Sequence, residues 1–334
     1  MKLFPIVVQA GLAAIAVDTT AVVNVACAEP AVLKLGNVQA PAAVVQKGLQ
    51  RFADLAQERT GGAVEVKVFP ASQLGTEQEI LEGVQLGTID MYEGSAAAVG
   101  RFLPQLEAFA CPFLWKSPES MVTTVRGPIG EELSRDLLEK RGLRILDLGW
   151  IFGVRHLTTT KTPVRSPEDM QGLKIRVQPD AIYLATITSM GASPTPIDAK
   201  EVYTSLQTGV VDGQENPISN IYQRKYHEVQ KYLTLTGHIT QDQVIIINEA
   251  AYQRLSSEQR DVLVKAAREA GDYQNVLVAS AEAEDLSKLK AAGMEVMEPD
   301  AAAFRKVTAG VCRDPAVAAK LGEGFYERLA AAQP

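Results

Sequence analysis

The stretch that most constrains the fold runs from residue 172 to residue 217, opening on Gly-Leu-Lys-Ile-Arg-Val and closing on Val-Val-Asp-Gly-Gln-Glu-Asn-Pro. Between these two apolar runs lie two stretches of helical spacing and a short strand-like run at 193–197, so the order reads β-α-β-α-β. Such alternation builds a parallel sheet with helices on both faces. A charged side chain fits badly in the middle of such a strand and well at its carboxyl tip, where ligand crevices open. Arg176 stands at one tip, and the polar cluster Asp212 to Asn216 ends another. The segment is therefore expected to hold the head of a small anion. A guanidinium makes two parallel hydrogen bonds to a carboxylate and so fixes orientation as well as charge. Pro217 keeps Asn216 out of helical geometry, which leaves its amide free to donate to the same ligand.

Because the chain carries a formal net charge of -7, it offers no broad basic face, and neither nucleic acid nor an anionic membrane surface is an expected partner. Any anion must be met locally. Its 334 residues exceed the usual size of a single core, so two lobes are expected. Lys2, the largely apolar run from Leu3 to Val17 and the Ala26-Cys27-Ala28 step read as a secretory signal over residues 1–28, with a retained N-terminal anchor as the alternative because Asp18 interrupts the apolar stretch. No later run approaches the roughly 20 apolar residues of a spanning helix.

Removing the leader leaves Cys111 and Cys312, far apart in sequence and in no metal-binding spacing. Cys111, in Phe-Ala-Cys-Pro-Phe-Leu-Trp, reads as a small buried apolar residue, and no bridge to Cys312 is expected. Three histidines (His156, His227, His238) are too scattered for a metal site, and neither a phosphate-cradling Gly-x-x-x-x-Gly-Lys loop nor a Gly-x-Ser-x-Gly elbow is present. Asp212 and Glu215 are read as caps for neighbouring backbone donors in preference to an acid/base pair. No enzyme chemistry and no cofactor is expected.

Along the chain, strands are expected at 32–36, 64–69 and 89–92, the last delivering Glu93-Gly94-Ser95 to a crevice wall. Thr76 and Glu79 form a capping-box pair, Asp198 and Glu201 another, and one long helix is expected from Ser257 to about Ala292. A strand at 143–148 and a second at 154–159 suggest a crossing between lobes, with 233–239 and 244–248 returning. Two further helices, 301–311 and 315–329, end the chain.

The sequence resembles the extracytoplasmic solute receptors of TRAP (tripartite ATP-independent periplasmic) transporters, in the DctP branch named for C4-dicarboxylates. The resemblance covers nearly all of the mature chain. It is carried by Phe-Pro-Ala-Ser-Gln-Leu-Gly (69–75), Gly-Val-Arg (153–155), Gly-Leu-Lys-Ile-Arg-Val (172–177), Gly-Ala-Ser-Pro-Thr-Pro (191–196), Glu-Val-Tyr-Thr-Ser-Leu-Gln-Thr-Gly (201–209) and Val-Asp-Gly-Gln-Glu-Asn-Pro (211–217). It implies an α/β, two-lobe periplasmic binding protein-like fold with a ligand cleft between the lobes and a long helix spanning both. The lobes would be residues 29–152 with 242–281 and residues 153–241 with 282–334.

It also implies a salt bridge from Arg176 to a ligand carboxylate, a second basic contact from Arg155 and a donor in Asn216. Asn37, Gln39, Glu93 and Ser95 would line the other wall, and Tyr203 and Gln214 complete the expected set. Ala199 stands where some relatives pack an aromatic on the ligand, and Gln178-Pro179 differs from what sialic-acid receptors carry, which speaks against sialic acid. The implied partners are a small organic acid, with a C4-dicarboxylate as first guess, and the membrane subunits of a TRAP permease. The protein would act as a periplasmic monomer. Alternatives are a two-lobe enzyme acting on a carboxylic acid, or a binding protein of another transporter or chemosensory system.

Overall fold

The computed structural model describes residues 1–5 and 29–334, so nearly all of the expected leader lies outside the described residues. The first unit is strand β1 (Ala31–Gly36), helix α1 (Val44–Arg59) and strand β2 (Val64–Phe69). Helix α2 (Glu77–Leu86) starts on the expected Thr76–Glu79 capping box and stops at Gly87, whose φ of 77° is left-handed. β3 (Met91–Gly94) follows and runs straight into α3 (Ala96–Val99), for which Ser95 is the N-cap. Helices α4 (Pro118–Val125) and α5 (Pro128–Arg141) then lead into β4 (Leu143–Thr159).

Residues 172–217 fold as β5 (Lys174–Val177), α6 (Ala181–Ser189), β6 (Ser193–Pro196), α7 (Val202–Gln207) and β7 (Gly213–Pro217). After it come α8 (Ile218–Gln223), β8 (Tyr232–Asn248), α9 (Glu249–Gln253) and the 35-residue α10 (Ser257–Ala291). The chain closes with β9 (Glu295–Met297), α11 (Ala301–Thr308), α12 (Pro315–Leu321) and α13 (Phe325–Ala331). The single helix expected at 315–329 is broken because Gly322 and Gly324 both take positive φ, at 95° and 72°.

All of these strands belong to one sheet of order β2-β1-β3-β8-β4-β7-β5-β6, with β9 beside β8. β2-β1-β3 and β7-β5-β6 are parallel groups, joined through the antiparallel pair β4–β8. The four short strands expected here are two long ones of 17 residues each, roughly 55 Å at 3.3 Å per residue. Register shifts between Ile145 and Leu157 bend the pair, so that each strand serves both halves of the sheet. At the crossing, Gly153 has φ 135°, and a Cβ there would sit 2.8 Å from Pro217 Cβ.

Helix α10, roughly 50 Å long at 1.5 Å per residue, packs on α1 and β4 and also on α8, thereby touching both halves. Apolar residues of α1 (Leu49, Phe52, Leu55) and α10 (Leu263, Ala266, Ala270) bury one face of the sheet around Trp150 and Ile245. Among the described residues no helix is long and apolar enough to cross a membrane.

Cys111 and Cys312 form a disulfide across 201 residues, contrary to the expectation of two separate thiols. The cause is the C-terminal segment, which folds back onto the 3-10 helix Pro104–Ala110. There Lys320 Nζ meets both oxygens of Glu107 at 2.7 and 2.8 Å, and the Gln333 amide donates to the Leu114 carbonyl at 2.9 Å. This contact between distant segments brings the Cα atoms of the two cysteines to 6.0 Å, within bridging range.

Candidate functional site

Arg176 points from β5 into a cavity of about 40 Å³ between the two halves of the sheet, and only 3 % of it is exposed. Its Nε donates to the Ile197 carbonyl at 2.8 Å, and neither terminal nitrogen has an acceptor among the described residues. Burial lowers its pKa, and the neighbouring charges of Arg155 and Arg224 act in the same direction. A buried guanidinium with an open fork is a site for an anion.

The pairing of β5 with β7 sets Arg176 opposite Gln214, and Asn216 follows two residues later on the same face of β7. Asn216 lines the cavity, and its Nδ2 donates to Gln214 Oε1 at 2.5 Å. Gln214 Nε2 donates in turn to Thr158 Oγ1 at 2.9 Å, and that hydroxyl to Gln230 Oε1 at 3.0 Å. This buried chain fixes the Asn216 amide before any ligand arrives.

Two carboxylates, Glu77 and Asp198, stand in the remaining wall. Glu77, at the start of α2, accepts from the Tyr92 hydroxyl at 2.7 Å, and burial raises its pKa. Tyr92 reaches it over Gly94, where a Cβ would lie 1.8 Å from the Tyr92 oxygen. Asp198 also lines the cavity and does not cap α7, whose N-cap is Glu201, contrary to the capping box expected from sequence. A larger chamber of about 560 Å³ adjoins the cavity and shares Thr76, Glu77, Pro179 and Asp198 with it. Asp180 lines that chamber, and burial pushes its carboxyl up to about 7.

Four of the residues expected from sequence line the cavity: Arg176, Asn216, Gln39 and Ser95. Gln214 supports it from behind. Arg155 does not reach it. This guanidinium is fully buried and committed to the Glu215 carboxylate, the Glu215 carbonyl and Gln241 Oε1. His238 Nε2 lies 3.2 Å from the same Glu215 carboxylate. Burial would raise the Glu215 pKa, but Arg155 and His238 outweigh it and hold the carboxyl at about 2.

Asn37 and Glu93 also lie away from the cavity wall. Asn37 Oδ1 accepts from the Gln39 amide and Gln46 Nε2, both at 2.9 Å, while Glu93 is wholly buried and burial pushes its pKa well up. Tyr203 turns to the surface, where its hydroxyl donates to Glu228 Oε2 at 2.8 Å.

Sequence reading missed Glu77, Asp198, Asn220, Arg224, Tyr226 and Gln241, all of which line the cavity. Gln241 left a signal, standing in the polar triplet Gln241-Asp242-Gln243 directly before the apolar run Val244 to Ile247. Arg224 gave none beyond its place at a helix end. Among the described residues no group of three His, Cys, Asp or Glu side chains is placed to hold a metal ion.

A sheet in two halves with an open buried guanidinium between them defines a binding protein for a small anion. The chain belongs to the DctP family, described as "Bacterial extracellular solute-binding protein, family 7", whose profile matches residues 35–316. It is 38 % identical over 266 residues to the 2,3-diketo-L-gulonate-binding periplasmic protein YiaO of Escherichia coli, covering 79 % of this chain and 80 % of that one. It is 37 % identical over 269 residues to the C4-dicarboxylate-binding periplasmic protein DctP of Rhodobacter capsulatus, covering 80 % of each. A crystal structure of a TRAP periplasmic solute-binding protein from Polaromonas sp. JS666, bound to D-erythronate, superposes with a TM-score of 0.85 at 34 % identity, covering 90 % of this chain and 98 % of that one. The family is one of binding proteins and not of enzymes.

Proposed function

We propose that this protein captures a small hydroxylated monocarboxylate in the periplasm and hands it to the membrane subunits of a TRAP transporter. The observation that carries the reading is Arg176, buried in the cavity with both terminal nitrogens open. Removing an anion from water costs several kcal/mol unless a fixed counter-charge and filled hydrogen-bond sites offset it. Arg176 supplies the charge and Asn216 a held donor. Glu77 and Asp198 favour a ligand whose far end donates hydrogen bonds, as hydroxyls do. Binding of D-erythronate and of 2,3-diketo-L-gulonate by similar proteins supports the same class.

The lobes are residues 29–152 with 242–281 and residues 153–241 with 282–334. A ligand touching both has a higher affinity for the closed state and raises its population. Closure excludes water and strengthens every charged contact inside. The closed form is what the permease reads.

A C4-dicarboxylate is the second reading. The sequence supported it with two arginines, Arg176 and Arg155, and the commitment of Arg155 to Glu215 removes half of that support. Arg224, a second guanidinium on the cavity wall, keeps it open, as does the named ligand of the Rhodobacter protein. A thermal-shift screen with D-erythronate, 2,3-diketo-L-gulonate and succinate separates the readings, since a ligand at 100 times its Kd adds about 2.7 kcal/mol. Stabilisation by either sugar acid supports the first reading and by succinate alone the second. Silence of all three contradicts both.

A further inference from the structure

Arg224 caps the C-terminal end of α8 and reaches across the cavity to the other half of the sheet. Its Nη2 donates to the Val38 carbonyl at 2.7 Å and lies 3.4 Å from Gln39 Oε1, while Nη1 donates to the Ala199 carbonyl at 3.2 Å. Among the described residues these are the only side-chain hydrogen bonds from the β7–α8 segment to the turn after β1, and no carboxylate pairs with Arg224. Carbonyl oxygens satisfy its donors but leave its charge uncompensated. Arg176, on the same side of the cavity, is also without a carboxylate partner, and the two charges oppose one another. Closing an empty cavity therefore takes two like charges out of water, with Glu77 and Asp198 on the same wall but hydrogen-bonded to neither. A single anion between them removes that cost.

We propose that Arg224 is the closure latch of the receptor, a positioning residue that faces the ligand anion on one side and grips Val38 and Gln39 of the opposite lobe on the other. The proposal rests on the cavity being the ligand site and adds a residue that converts ligand charge into lobe closure. It separates two jobs that share one charge type. Arg176 anchors the ligand, and Arg224 holds the lobes shut over it.

The test compares the wild-type protein with Arg224→Gln and Arg224→Lys. Spin labels on cysteines introduced at the exposed positions Gln57 and Thr204 of the chain from residue 29 onward report the distance between the lobes; Cys111 and Cys312, bridged and buried, do not take label. Distances are measured without added acid and with D-erythronate, 2,3-diketo-L-gulonate or succinate. In Arg224→Gln the gain in short-distance population on adding acid should shrink, while the ligand-free melting temperature stays at the wild-type value. Affinity should weaken about ten- to a hundredfold, through faster release, as expected for losing hydrogen bonds to a charged donor. Arg224→Lys should recover part of the closure, because an ammonium reaches one carbonyl but not two. Unchanged distance populations in Arg224→Gln would overturn the latch, and so would a lower melting temperature with normal closure. If no acid alters the wild-type protein, the ligand reading fails and the latch fails with it, whereas a wild type that closes on acid beside an Arg224→Gln variant that closes equally well overturns the latch alone.

Discussion

Arg155 and Glu215 form a fully buried ion pair immediately before Asn216 in the sheet, so the cavity wall is backed by a fixed charge couple. The pair is held further by Gln241 on one side and His238 on the other. Removing one partner leaves a buried charge without compensation, and Glu215→Gln should therefore cost about 3 to 5 kcal/mol of stability at neutral pH. The Glu215 pKa, at about 2, lies below its ordinary 4.5. Its stabilisation is thus complete above about pH 4.5 and is lost as pH falls toward 2. Denaturant titrations between those pH values should show a steep loss in the wild type and a shallower one in Glu215→Gln.

Asp180 has the opposite sign. Its folded pKa, about 7, lies above the ordinary 3.8, so the protonated form favours the folded state. That contribution is present below about pH 4 and fades as pH rises through 7. Asp180→Asn keeps a neutral group there and should gain melting temperature relative to wild type above pH 7, with the difference vanishing near pH 4. Asp242, also pushed to about 7 by burial, titrates in the same window and should leave a residual slope in the variant.

The Cys111–Cys312 bridge closes a loop of about 200 residues, worth about 5 kcal/mol in a chain-entropy account. A Cys111→Ala, Cys312→Ala double variant should melt several degrees lower and still bind the same acid, because neither cysteine lines the cavity. Differential scanning calorimetry with and without ligand checks both halves of that statement.

Gly94→Ala tests how the acidic wall is set. The new Cβ collides with the Tyr92 hydroxyl, and overpacking of this kind costs typically 1 to 3 kcal/mol. Displacing Tyr92 frees Glu77 from its hydrogen bond, so calorimetric affinity for the acid should fall along with stability.

The parallel segments were legible in the sequence because turn and cap residues punctuate them, as Thr76 with Glu79 and Gly87 do for α2. Arg176 and Asn216 were legible because a polar side chain at the tip of an apolar strand has few other places to go. Arg155 and Arg224 show the limit. Sequence places Arg155 beside the lobe crossing, but whether its guanidinium turns to the cavity or to Glu215 depends on pairing between β4 and β7, a non-local fact. Arg224 stands at an unremarkable helix end, and only the approach of Val38 from the other half of the sheet gives it a role. Asp198 was misread because a capping pattern and a cavity acid look alike in one dimension, and the disulfide was missed because the fold-back of residues 301–331 carries no local signature.

The central claim is that Arg176 holds the carboxylate. Isothermal titration of Arg176→Ala with the acid that raises the wild-type melting temperature tests it most directly. A buried anion deprived of its partner loses about 3 to 5 kcal/mol, more than a hundredfold in Kd. No measurable heat is expected from Arg176→Ala at concentrations that saturate the wild type, with the variant folded by circular dichroism. Near-wild-type affinity in that folded variant would contradict it.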